Sequence, residues 1–278
     1  MLFIINPISG HGRKQRIISR LEKAGYKVVC TEYAGHAEKL AREAAEQVVV
    51  AVGGDGTVNE VARGLVGTGK TLGIIPCGSG DGLARHLGIS HNFSKALKTV
   101  TSGKASPLDA GRINGRLFFS VCGVGFDAVV SERFAKCGKR GLSTYIREGL
   151  KTWRIYAPER YSIEMNGQTL EHEAMFITVG NSNQWGNGAK ITPLADSSDG
   201  ILDITVVDGF KAIELPWLAG RLMTGSAHKS MRVHTYRSQH LVITRQNEGP
   251  AHADGDWFEA GKTLDIEVIP HALNVLVR

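Results

Sequence analysis

Three glycines surround an acid in Gly53-Gly54-Asp55-Gly56-Thr57, between the apolar run Val48–Val52 and a helical segment, Val58–Gly64. In a strand-to-helix turn of this composition, backbone N–H groups can turn towards a phosphate, and the helix N-terminus adds partial positive charge. The Asp55 carboxylate can then organise a magnesium ion or accept a proton from an attacking hydroxyl. Away from a ligand, the same string is a tight turn capped by Asp and Thr. The chemistry it suggests is phosphate binding.

Two further loops share this character. Asn6-Pro7-Ile8-Ser9-Gly10 follows the apolar run Leu2–Ile5, and Pro76-Cys77-Gly78-Ser79-Gly80-Asp81-Gly82 follows Leu72–Ile75. Each loop follows a buried strand, and in a parallel sheet such loops leave one edge, where ligands of doubly wound folds sit.

The elements that must position these loops alternate. Leu2–Ile5, Lys27–Thr31, Val48–Val52 and Leu72–Ile75 read as strands. Lys14–Ala24, His36–Gln47, Val58–Gly64 and Leu83–Leu87 read as helices. This alternation predicts an α/β domain with a doubly wound parallel sheet over residues 1–108. After Pro107 the pattern changes. A strand is expected at Arg116–Cys122, and β-branched or alternating runs follow at Tyr161–Met165, Ala174–Val179, Leu202–Val207, Gln239–Thr244 and Leu264–Val268. Turn pairs separate them, among them Asn114-Gly115, Asn166-Gly167, Asp199-Gly200 and Asp208-Gly209. Residues 109–278 therefore read as a mainly β sandwich or barrel, with the last strand free to return to the first domain and a cleft between the two.

Charge narrows the partners. The chain carries a net +6, and residues 131–160 set Arg133, Lys136, Lys139, Arg140, Arg147, Lys151, Arg154 and Arg160 against Glu132, Glu148 and Glu159. That stretch holds most of the excess. A helix over Ser143–Tyr156 would gather Leu142, Tyr145, Ile146, Gly149, Leu150 and Trp153 on one side and Arg147, Lys151 and Arg154 on the other. Such a helix suits peripheral contact with an anionic membrane surface, or packing on the β domain with a solvated basic face. No recognised basic–aromatic motif accompanies the charge, which argues against nucleic acid. The four cysteines form no CxxC pair or metal-like spacing, and a reducing, cytoplasmic setting is expected. No apolar run approaches the roughly 20 residues that span a bilayer, and the N-terminus lacks the basic start of a signal peptide.

GGDGT also occurs in NAD kinases and phosphofructokinases. In order and spacing, NPxSG, GGDGTxNEV over Gly53–Val61, and the Pro76–Asp81 loop resemble the diacylglycerol kinase catalytic-domain family, which includes the soluble bacterial lipid kinases and the sphingosine and ceramide kinases. The likeness continues through Gly123-Val124-Gly125-Phe126-Asp127, the segment Asn181 to Asp203, and Asp254-Gly255-Asp256. It covers essentially the whole chain.

The resemblance implies an ATP- and Mg²⁺-dependent lipid kinase that acts on the hydroxyl of a membrane lipid, either diacylglycerol or a sphingoid-type alcohol. Asn6, Thr31, Gly53, Gly54, Asp55, Gly56, Thr57, Val58, Asn59 and Ser79 match its ATP-binding positions, and Asp196, Asp199 and Ile201 its magnesium site. Asp256 stands where the family's DGE motif places a general base, one methylene shorter than Glu; Asp55 is the competing candidate. Asp81-Gly82 replaces the Asn-Asp usual in the diacylglycerol kinase branch, and Gly82 resembles the small residue of the sphingosine kinase branch. The rivals are a kinase of a soluble alcohol, as in NAD kinase, and a nucleotide- or lipid-binding regulator with weak catalysis.

Overall fold

Runs of branched apolar residues without polar alternation make strands that a sheet buries on both faces. Three of the first four strands have this form: β1 (Leu2–Ile5), β3 (Val48–Gly53) and β4 (Thr71–Pro76). The other, β2 (Lys27–Cys30), is an edge strand with exposed ends. This computed structural model describes residues 1–7, 14–138 and 141–278. The chain divides into a unit formed by Met1–Asp109 with Pro270–Arg278 and a unit formed by Ala110–Ile269.

In the first unit, β1 lies between β2 and β3, β4 follows β3, and all pairs are parallel. The helices are α1 (Lys14–Lys23), α2 (His36–Glu43), α3 (Asp55–Leu65), α4 (Gly82–His86) and α5 (Phe93–Ser102). Asn92 caps α5 by accepting a hydrogen bond from Lys95 N–H at 3.2 Å. Two helix bounds in this unit differ from those expected by three or more residues. α2 stops at Glu43 because Ala44 turns extended, with ψ 133°. α3 starts at Asp55 rather than Val58: Gly54 is its extended N-cap, and the Val58 N–H already bonds to the Gly54 carbonyl at 3.1 Å.

The second unit is mostly antiparallel. Its elements are β5 (Lys104–Ile113, begun in the first unit), β6 (Arg116–Phe118), β7 (Val121–Gly125), α6 (Phe126–Lys136), α7 (Leu142–Trp153), β8 (Glu159–Met165) and β9 (Gln168–Gly180). Then come β10 (Leu202–Asp208), α8 (Leu215–Thr224), β11 (Val233–Ser238), β12 (His240–Arg245), β13 (Gly249–Ala253), β14 (Asp256–Ala260) and β15 (Thr263–Val277). The long β9 serves both layers of the sandwich. Its first half pairs with β8 and its second half with β7 and β10. β15 pairs first with β12 and then, through Asn274 and Val275, in parallel with β4 of the first unit.

Asn114-Gly115, Asn166-Gly167 and Asp254-Gly255 each carry positive φ at both residues and join adjacent antiparallel strands in two-residue turns. That is the turn geometry whose twist matches a hairpin. The single strand expected at Arg116–Cys122 is broken at Phe119 and Ser120, for a reason that lies in the site.

Candidate functional site

Registers in the first unit bring the sequence-predicted nucleotide residues to one edge. Ile5 pairs with Cys30 and Val52, and Gly53 pairs with Pro76, so the loops after all four strands leave together. Backbone bonds tie them: Thr31 N–H to the Ile5 carbonyl at 2.8 Å, Asn6 N–H to Val52 at 3.3 Å, and Cys77 N–H to Gly53 at 2.8 Å. Asn6, Thr31, Gly53 to Thr57 and Ser79 therefore border one strip of the sheet. Val58 and Asn59 are buried on α3. Ser9 and Gly10 of the first loop lie outside the described residues.

Two of these loops interlock. The amides of Asp55, Gly56 and Thr57 precede the first intrahelical bond of α3, so this turn concentrates donors at the positive end of the helix. Asp55 Oδ2 accepts from Asp81 N–H at 2.8 Å and Oδ1 from Gly82 N–H at 2.6 Å. Asp81 adopts the left-handed conformation, φ 47°, and its Oδ1 accepts from Gly78 N–H at 3.1 Å. The backbones touch at Gly54 and Gly78: a β-carbon on Gly54 would stand 3.2 Å from Gly78 Cα, and one on Gly78 only 2.8 Å from Gly54 Cα. Both positions need glycine for this approach.

Asp81 is 2% exposed. Burial, and then the negative charge of Asp55, push its carboxyl up to about 7 against the opposing Gly78 amide and Arg85. His91 Nε2 lies 3.1 Å from its other oxygen, and burial followed by Arg85 pulls that imidazole down. Both groups are thus driven towards their uncharged forms, and the contact is closer to acid-with-imidazole than to an ion pair. The sequence flagged Asp81 only as a departure from Asn; its role appears once the loop folds onto Asp55.

In the second unit, Asp254 explains the broken strand. Its Oδ2 accepts from Phe119 N–H at 2.8 Å, and its Oδ1 from Ser120 and Val121 N–H at 2.8 and 3.0 Å. Three amides turned to one carboxylate cannot also serve a ladder, so β6 and β7 separate there. Asp256 is the exposed first residue of β14, opposite Ala253, rather than a loop residue. Behind the hairpin, buried His252 receives the Gly255 N–H on Nδ1 at 3.4 Å. Its Nε2 is then the protonated nitrogen, donating to Asp127 Oδ2 at 3.1 Å. Thr178 and the Ala128 N–H complete the Asp127 carboxylate at 2.9 and 2.8 Å. The sequence reading assigned Asp127 and His252 no role.

At the expected magnesium positions, Asp196 Oδ1 accepts from the Ser198 N–H and hydroxyl at 3.0 and 2.7 Å. Asp199 Oδ1 accepts from Ile201 N–H at 3.0 Å, and its other oxygen holds Arg237. Asp203, the cross-strand partner of Arg237, is buried, and desolvation raises it to about 6. The donor set is all oxygen, with a desolvated carboxylate beside two others, and fits a hard cation. Arg237 supplies the positive charge there, paired with Asp199 and Asp203.

On α7, Thr144, Glu148 and Thr152 are buried, whereas Ile146 and Leu150 are exposed. The expected division into an apolar and a basic side therefore does not hold: Ile146 and Leu150 share the solvent side with Arg147, Lys151 and Arg154. Arg147 and Lys151 contact Glu148 at 3.3 and 3.0 Å. Lys139 and Arg140 lie outside the described residues, as does the side chain of Leu142.

A glycine-rich turn opening a helix at the C-terminal edge of a parallel sheet is an arrangement suited to phosphate, here in a chain that also carries a β-sandwich unit. Residues 1–113 match the diacylglycerol kinase catalytic domain, and residues 120–277 match the YegS C-terminal NAD kinase beta sandwich-like domain. A diacylglycerol kinase of Bacillus subtilis is 30% identical over 88% of this chain and 82% of its own. The crystal structure of a diacylglycerol kinase from Bacillus anthracis str. Sterne superposes with a TM-score of 0.77 at 21% identity, over 100% of this chain and 96% of that one. An NAD kinase from Archaeoglobus fulgidus in complex with ATP shares the fold at a TM-score of 0.60 and 12% identity, over 99% and 92% of the two chains. The chain belongs to the diacylglycerol kinase catalytic-domain family, a family of lipid kinases.

Proposed function

We propose that this chain transfers the γ-phosphoryl group of ATP to the hydroxyl of a membrane lipid, diacylglycerol or a sphingoid-type alcohol. The observation that carries the reading is the interlocked pair of loops, Gly53–Thr57 and Gly78–Gly82, set at the start of α3. The α3 amides would hold the phosphates; Asn6, Thr31 and Ser79 border the same edge. The lipid oxygen bonds to the γ-phosphorus as the bond to the β-phosphate oxygen breaks and ADP leaves. The hydroxyl proton passes to Asp256. Asp256 is favoured over Asp55 because both Asp55 oxygens already accept backbone hydrogen bonds, whereas Asp256 is exposed on a hairpin braced by Asp254 and His252.

Asp199 and Asp203, with Asp196 and the Ile201 backbone, are the residues that would hold magnesium in the second unit. Bound there, the ion would supply positive charge that organises this turn. Phosphoryl transfer needs positioning and charge neutralisation more than covalent assistance, so cradled phosphates, Mg²⁺ and one base would suffice.

The lipid would be met at the bilayer surface. No helix among the described residues is long and apolar enough to cross a membrane. Ile146 and Leu150, interleaved with Arg147, Lys151 and Arg154, suit an anionic interface, where each basic residue contributes about 1 kcal/mol.

The test is to incubate the protein with labelled ATP, Mg²⁺ and a total lipid extract and to identify the labelled product by mass spectrometry. A labelled lipid phosphate is expected. Label found only in a water-soluble product such as a nucleotide would overturn the lipid assignment.

A further inference from the structure

β9, β10 and β11 bring His172, Asp208 and His234 together, away from every residue used above. A ligand atom from each lies within 4.8 Å of the other two. His234 Nε2 is 3.0 Å from Asp208 Oδ2, and the two imidazole centres are 5.2 Å apart. Tyr236 places its hydroxyl 3.0 Å from His172 Nε2 and so steadies that ring.

The register accounts for the convergence. β10 pairs Val207 with Phe176 but Asp208 with Ala174, which leaves Met175 as the extra residue of a bulge. Without the bulge Asp208 would stand opposite Met175, and alternation would turn His172 to the other face of the sheet. His234 pairs with Val206, two residues before Asp208, and so shares the face of Asp208. The three side chains line a cavity of about 460 Å³, with Glu171 and Glu173 also on its wall. Arg232 lines it too, but its guanidinium is 3.5 Å from Glu214.

Two imidazoles and a carboxylate are the donor set of borderline divalent ions, whereas magnesium takes oxygen alone. Tetrahedral ligands bound to one ion at about 2.0–2.2 Å stand roughly 3.3–3.6 Å apart, so Asp208 and His234, hydrogen-bonded at 3.0 Å, need to part only slightly to share an ion. We propose that His172, Asp208 and His234 form a site for a divalent transition-metal ion of the zinc type, with a coordination position left open towards the cavity.

The experiment uses the full chain stripped by a chelator and dialysed against micromolar Zn²⁺, with bound metal counted by mass spectrometry. One equivalent is expected, with at least tenfold weaker binding in His172→Gln and again in His234→Gln. Co²⁺ should give visible ligand-field bands without the near-ultraviolet band of a cobalt–thiolate bond. No uptake, uptake by both variants equal to that of the unaltered protein, or a thiolate band, which would mark cysteines as the ligands, overturns the proposal. The cobalt spectrum of the unaltered protein decides the matter even if a variant fails to fold.

Discussion

The Asp55 carboxylate is held by the chain 26 and 27 residues further on, accepting one hydrogen bond from Asp81 N–H and one from Gly82 N–H. This acid therefore joins the glycine-rich turn to the neighbouring loop, and metal or proton chemistry at Asp55 would come on top of that role.

Asp55→Asn replaces one accepting oxygen with an NH₂ group that faces a backbone N–H. Leaving one such donor unsatisfied costs about 1–3 kcal/mol. Urea denaturation should show a loss of that size, and calorimetric titration should show weaker ATP binding. Unchanged stability would mean that the Asp55 contacts to the second loop are dispensable.

Asp81 carries the pH dependence of the same pair. Its carboxyl is raised from an ordinary 3.8 to about 7 in the folded chain. Between those values the folded state keeps a proton that the unfolded chain has released. The stability due to protonated Asp81 is thus complete below about pH 4 and is lost as pH rises through about 7. Asn imitates the protonated acid at every pH and tolerates the left-handed backbone. Asp81→Asn should therefore be more stable than the parent at about pH 8, with the gap narrowing as pH falls and closing only below about pH 4. A gap independent of pH would refute a protonated Asp81.

Gly54→Ala puts a methyl group 3.2 Å from Gly78 Cα. The loops must part by a few tenths of an ångström, and the amides at the start of α3 move with them. Circular dichroism should stay native while ATP affinity falls. Native affinity in a folded variant would remove this turn from the nucleotide site.

Asp256→Asn keeps size and polarity but cannot take a proton. Single-turnover rates should fall roughly 10²–10⁴-fold with ATP affinity little changed, and Asp256→Glu should retain activity. Near-normal turnover in Asp256→Asn would pass the role of base to Asp55.

Replacing Arg147, Lys151 and Arg154 together with Gln should weaken flotation with anionic vesicles and lower activity on lipid in vesicles, while sparing a short-chain soluble analogue. Equal loss on both substrates would indicate a folding or catalytic role instead.

Features written locally were legible in the sequence. Val48–Val52 and Leu72–Ile75 read as buried parallel strands because both their faces are covered, and Asn114-Gly115 and Asn166-Gly167 read as hairpin turns because their backbone conformation selects those residues. The glycine turn at Gly53 was legible as a strand-to-helix turn because strand, turn and helix N-terminus are contiguous. Contacts between distant residues were not legible. Nothing near Asp254 says that it holds the amides of Phe119 to Val121, more than 130 residues earlier. Nothing near Asp55 says that its acceptors are already taken. The solvent side of α7 was misread because a helical wheel gives relative angles only, and packing of the second unit decides which angle is buried. The bulge that turns His172 towards Asp208 is likewise a property of two paired strands, since register exists only once they meet.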